Sequence, residues 1–258
     1  MLTIVTADQL LGSLTGAYLG YSYSEHQHGQ CAKDTSPIYS LWQQNLPPGP
    51  ELSEPCLAVT LPWLLCHHDA SGRRHRWLAR QLASASLPTA GIVDTAIALY
   101  ILGDSLEWLM QCDPVMRHPR SVLCMHLQQQ CRSYPADIIP QANQLIGWLS
   151  DKPIAADSQS TNQGQSAPDI ILAIHQCLNY RENLALALAN PQIAPQRSMI
   201  VGYLLGAWGG ISVIPAMWMA SLTPDAKQSL TKIAQQLYRT WAGAIQRAGS
   251  LEICPLNF

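Results

Sequence analysis

Three observations predict an all-α fold. Glycines recur at every fourth residue in two segments: Gly12, Gly16 and Gly20 early in the chain, and Gly202, Gly206 and Gly210 late in it. Apolar residues elsewhere return at helical spacing, as in Leu230, Ile233, Ala234, Leu237, Tyr238 and Trp241. No stretch alternates apolar and polar residues for more than a few positions, so no strand is predicted. A spacing of four aligns residues on one helix face. Glycine inside a helix costs roughly 1 kcal/mol relative to alanine, so two such stripes imply two backbones in close approach. A buried helix pair at the centre of the fold is the prediction.

The elements follow in order. Residues 7–23 read as the first glycine-spaced helix, and 30–54 as an irregular connection broken by Pro47-Pro48-Gly49-Pro50. An apolar helix is predicted over 55–68, kinked or stopped near Pro62. A short amphipathic helix covers 74–85 and ends before Pro88. The stretch 94–109 is apolar all round and therefore central, with Asp94 as its N-cap. Helices over 120–133 and 141–149 follow. Residues 151–168 are polar and of low complexity, including Ser158-Gln159-Ser160-Thr161-Asn162-Gln163, and read as a mobile loop within one domain spanning 1–258. In the last helix, Thr223 is the N-cap, Pro224 takes the first helical position and Asp225 complements the dipole.

Composition narrows the function classes. The 258 residues can bury a large core. They are 48% hydrophobic and 12% charged, with a net charge of −2. That charged fraction is about half the usual share. No global field draws in nucleic acid, and a surface so poor in charge predicts a protein partner or a homo-oligomer. The short basic run Arg73-Arg74-His75-Arg76 reads as a solvated loop or helix start. Residues 1–11 contain Asp8 and no basic run, so no secretory signal is expected. The eight cysteines form no C-x-x-C pair, which predicts reduced, buried thiols in the cytoplasm. Cys66-His67-His68-Asp69 with His75, and His26 and His28 with Cys31, supply metal-binding side chains, but neither spacing fits a structural zinc pattern. A surface histidine pair after a helix is the simpler reading of His67 and His68. Residues 199–222 carry no charge and are long enough to span a bilayer. Gly209-Gly210 and Pro215 interrupt them, so a buried helix, a turn and a short second helix are predicted, with no membrane span. Walker, dinucleotide-binding and nucleophile-elbow motifs are absent from the sequence.

The two glycine segments resemble motifs of the ADP-ribosylglycohydrolase family. Gly12, Gly16 and Gly20 fit its first motif, approximately G-x-x-x-G-x-x-x-G-D-x-x-G, and Ile214-Pro215-Ala216-Met217-Trp218 fits the I-P-x-x-W that closes its last one. Tyr180-Arg181-Glu182-Asn183-Leu184-Ala185-Leu186-Ala187 is similar to its penultimate helix. The resemblance covers the two ends, roughly a third of the chain, and fails over 114–174. It implies a compact multi-helix bundle. In family enzymes it also implies two magnesium ions held by carboxylates and hydroxyls from three places.

Those ligands are missing here. The first-motif aspartate position holds Tyr21. The counterpart of the family's T-D-D-T run is Ser53-Glu54-Pro55-Cys56, and that of G-D-T-D-T is Ile193-Ala194-Pro195-Gln196-Arg197. Magnesium requires several oxygen ligands, with carboxylates offsetting its charge, and Glu54 alone cannot hold two ions. The expectation is therefore a catalytically degenerate member without metal or other cofactor, acting as a binding, regulatory or assembly protein. Its ligand-binding pocket would gather Tyr21, Ser53, Glu54, Gln196 and Arg197 around a nucleotide or ADP-ribose-like ligand. The alternative is a residual hydrolase of ADP-ribose-type glycosidic bonds with Glu54 as its lone catalytic acid or base. Were the resemblance misaligned, Asp94 and Asp104 would be the acids to consider as ligands.

Overall fold

The computed structural model describes residues 6–27, 42, 57–84, 90–112, 116, 118–150, 166–181, 183–189 and 193–242. Among these residues regular structure is entirely helical. The order is α1 (Ala7–Gln27), α2 (Leu57–Cys66), α3 (Ser71–Ser84), α4 (Ala90–Gln111), α5 (Pro119–Cys131), α6 (Ile139–Ser150), α7 (Ser166–Asn179), α8 (Leu184–Ala187), α9 (Pro195–Gly209), a 3-10 turn (Gly210–Val213), α10 (Ala216–Ser221) and α11 (Pro224–Trp241).

The predicted glycine pair is the centre of the bundle. Helices α1 and α9 run antiparallel: Gly12 meets Gly206 and Gly210, Gly16 meets Gly202, and Gly20 meets Ser198. A Cβ on Gly16 would overlap the Gly202 carbonyl, and one on Gly202 the Gly16 carbonyl, so only glycine permits this approach. Polar side chains then bridge the backbones. Ser13 Oγ donates to the Tyr203 carbonyl at 2.8 Å, Gln9 Nε2 to Ala207 O at 3.1 Å, and Ser24 Oγ to Ile193 O at 2.7 Å. At Gly210 the chain takes φ +67°, a left-handed conformation natural to glycine. It ends α9 there, and Asp8 Oδ2 accepts from Ile211 N at 3.3 Å. Among the described residues no helix is long and apolar enough to cross a membrane.

Helix α4 packs on α3, α5, α7 and α9, and its residues from Ala96 to Met110 are buried apart from Glu107. This central position was predicted from its apolar composition. Its start differs: α4 begins at Ala90, so Asp94 lies inside the helix and is not its N-cap. Asp94 Oδ2 instead accepts from Ala167 N at 3.2 Å and caps α7, a use invisible to local sequence reading. Pro62 does not stop α2, which runs through it. A proline at this position removes the N–H that would bond Ala58 O. Trp42 Nε1 supplies the replacement, donating to Ala58 O at 2.7 Å, and buries its ring fully in doing so.

Other boundaries shift for identifiable reasons. Residues 166–168, read as the end of a mobile loop, open α7, while 151–165 lie outside the described residues. Among the described residues of the 180–187 segment only Leu184–Ala187 are helical, capped by Asn183 Oδ1 accepting from Leu186 N at 3.1 Å. The last helix matches its reading: Thr223 Oγ1 accepts from Ala226 N at 3.2 Å, and Leu230, Ile233, Ala234 and Leu237 are buried. Cys66, Cys112, Cys124, Cys131 and Cys177 are buried free thiols.

Candidate functional site

Two places gather chemistry-bearing side chains. The first is the end of the bundle where α1 finishes and α7 and α9 begin. Gly20 touches Ser198 there, which makes Tyr21 and Arg197 direct neighbours of one contact. Tyr21 is half-buried and packs against the core, and Gln196 is half-buried in the first turn of α9. Arg197 is paired with Asp169 on α7, its Nε at 3.0 Å and its Nη2 at 2.5 Å from the same carboxylate oxygen. The structure thus brings Tyr21, Gln196 and Arg197 to one end of the fold. Ser53 and Glu54, the other two predicted site residues, lie outside the described residues, as do His28 and Cys31 of the second histidine–cysteine group.

The second place was not predicted as a site. Arg74, read as part of a solvated basic run, is 1% exposed, and Asp104 is 0% exposed. Arg74 on α3 donates from Nη2 to Asp104 Oδ1 at 2.8 Å and to Glu107 Oε2 at 2.6 Å, both on α4. Its Nη1 donates to the carbonyls of His67 and His68 at 2.6 and 2.5 Å, just past the end of α2. These carbonyls belong to the turn that follows α2, where the His67 carbonyl also accepts from Ala70 N at 3.1 Å. Gly103 leaves space for the guanidinium: a Cβ there would lie 3.0 Å from Arg74 Nε. Asp104 also meets His75 Nε2 at 2.9 and 3.0 Å and accepts from Tyr134 Oη at 2.7 Å. Burial by itself would raise the Asp104 pKa; hydrogen bonding and charge from His75, then the Arg74 charge and the Tyr134 hydroxyl, outweigh it and hold it below its ordinary value. Burial, followed by the Asp104 charge, pushes the Tyr134 hydroxyl well up.

His67 and His68 are also buried, at 3% and 0% exposure, which corrects their reading as a surface pair. The physical reason is the turn after α2. His68 Nδ1 lies 2.8 Å from Leu65 O, and its ring contacts Trp241 of α11. Burial lowers the His68 pKa below its ordinary value. Among the described residues no group of three histidine, cysteine, aspartate or glutamate side chains is placed to hold a metal ion.

Ser133, His75 and Asp104 stand in the order of a nucleophile–base–acid relay, since Ser133 Oγ is 2.8 Å from His75 Nδ1. The surroundings do not support acyl transfer. Such chemistry requires N–H donors aimed at the developing oxyanion. Ser133 N donates to Gln130 O at 2.9 Å and Tyr134 N to Cys131 O at 3.1 Å, so the adjacent donors are spent. The Ser133 hydroxyl itself donates to Gln130 O at 2.6 Å. What the arrangement does is join the end of α2, α3, α4 and the turn after α5 through one carboxylate and one guanidinium.

In comparisons with known proteins, no protein-family model, no curated protein and no solved structure matches this chain.

Proposed function

We propose that this chain is a degenerate ADP-ribosylglycohydrolase-like bundle that works in the cytoplasm as a binding or assembly protein and not as a metal-dependent hydrolase. One observation carries the reading: the acids that could have replaced the missing motif aspartates are already engaged within the protein. Asp104 serves Arg74, His75 and Tyr134. Asp94 caps α7, and Asp169 neutralises Arg197. A two-magnesium centre needs carboxylates with lone pairs turned to the ions, and these point elsewhere. Tyr21 at the first-motif aspartate position offers a ring that can pack on a ligand, while the low overall charge favours association with a partner or a second copy.

Scanning calorimetry with and without millimolar magnesium tests this. A ligand that binds only the native state must stabilise it, by about 2.7 kcal/mol at a hundredfold excess over its Kd. The expected outcome is an unchanged Tm. A magnesium-dependent rise would overturn the reading and return attention to Glu54 as part of a hydrolase site.

A further inference from the structure

A cleft of about 410 Å³ lies where the start of α5 meets the ends of α6 and α7. The residues that matter in it are His118, Arg120, Ser121, Ser150, Asn179 and Arg181. This is the opposite end of α7 from Asp169 and Arg197. The ten-residue rise from Asp169 to Asn179 along that helix puts the two places about 15 Å apart.

Both arginines are held by neutral groups. Arg120 Nη2 donates to Asn179 Oδ1 at 2.8 Å. Asn179 is oriented in turn by His175, whose Nδ1 lies 3.1 Å from Asn179 Nδ2. Burial, then the Arg120 charge, lowers the His175 pKa, which leaves this ring neutral and fit to accept from the amide. Arg181 donates from Nη1 to Met116 O at 2.6 Å and from Nε to Leu178 O at 3.3 Å. Its guanidinium carbon sits 5.8 Å from the Trp208 ring centroid. Among the described residues neither arginine forms an ion pair, and no carboxylate lines the cleft. Two arginines thus line one cavity with no counter-charge among its described lining residues.

The first turn of α5 adds to the same field. Pro119 opens the helix, His118 provides no side-chain cap, and the first turn contains no acid. Its free N–H groups and the helix dipole favour an anion. Arginine in this setting suits a phosphate, whose oxygens accept two N–H bonds at once. The cavity is far larger than one oxyanion needs and falls within the range of small-molecule pockets. Its remaining described lining combines the hydroxyls and amide of Ser121, Ser150 and Asn179 with His118, Pro119 and Leu178, and includes no Phe, Tyr or Trp.

We infer that this cleft binds a small phosphorylated sugar, with Arg120 and Arg181 on the phosphate and the oxygens of Ser121 and Ser150, whose own protons go to His118 O and Gly147 O, accepting from the sugar hydroxyls. The site shares no residue with the Tyr21 end and needs no magnesium.

The test is isothermal titration of the full chain at constant ionic strength with ribose 5-phosphate, ribose, inorganic phosphate and AMP. Saturable binding is expected for ribose 5-phosphate, at least tenfold tighter than for inorganic phosphate and at least as tight as for AMP. Free ribose should give none. Arg120→Gln removes one charge. Asn179→Asp places a carboxylate against Arg120 and leaves the backbone untouched. Each should weaken binding tenfold or more while the Tm confirms a folded protein. Absence of saturable binding in the wild-type protein would overturn the proposal, as would equal affinity in both folded variants. Equal affinity for phosphate and ribose 5-phosphate would overturn the sugar assignment. None of these results depends on whether magnesium or ADP-ribose binds at the other end.

Discussion

Arg74, itself buried, balances the buried Asp104, the partly exposed Glu107 and two carbonyls. Replacing it by methionine keeps most of the volume, removes the cation from Glu107 and leaves the buried Asp104 to His75 and Tyr134. Breaking one side of a buried ion pair costs about 3–5 kcal/mol, so Arg74→Met should lower stability by that order, measured by urea unfolding. The buried histidines set a pH dependence. His68 and His175 both have pKa values lowered by burial, so the unfolded chain binds more protons than the native one as pH falls through their ordinary value of 6.5. Stability must therefore fall with pH in that window. Asp104, whose pKa is lowered from 3.8, adds a further loss below that value. A Tm that falls from pH 7 to pH 5 and falls again below pH 4 is the expected profile in calorimetry. At this scale the sequence held a signal that a charge-run reading misses. Arg74 stands three and four residues before Trp77 and Leu78, on the same helical face. Asp104 and Glu107 are two acids one turn apart in the apolar stretch that follows Thr95. A buried acid pair needs a cation, and Arg74 is on the apolar stripe that can deliver it.

Among the elements, the α1–α9 pair was the most legible, because the penalty of glycine in a helix has to be repaid by close packing. The structure locates that repayment residue by residue. Gly16→Ala would force the two backbones apart, and overpacking of this kind costs typically 1–3 kcal/mol. The rigid carbonyl opposite puts this case at the upper end. Gly147 in α6 provides the contrast: a Cβ there meets nothing within 4 Å. Gly147→Ala should gain up to about 1 kcal/mol from helix propensity alone. Opposite signs for the two substitutions in thermal unfolding would separate packing from propensity. Of the two outcomes expected at Pro62, the stop does not occur, for a long-range reason. Nothing local indicates that Trp42, twenty residues earlier, supplies the donor for the carbonyl that proline leaves unbonded. Asp94 misled in the same way, since a residue suited to capping its own helix caps another one.

For the whole molecule, composition and periodicity were sufficient for the helical class and for the central place of α4, but not for the cationic cleft. His118 and Arg120, Ser150, and Asn179 and Arg181 come from three parts of the sequence, and only the packing of α6 against both α5 and α7 makes them one site. The central claim concerns the proposed absence of metal chemistry: Asp94 and Asp169 near the start of α7, and Asp104 beside Arg74, are engaged within the protein. The most direct test is calorimetric titration of the full chain with ADP-ribose, with and without magnesium. The account predicts the same heats in both conditions, whether binding occurs or not. Binding that appears only when magnesium is present would contradict it.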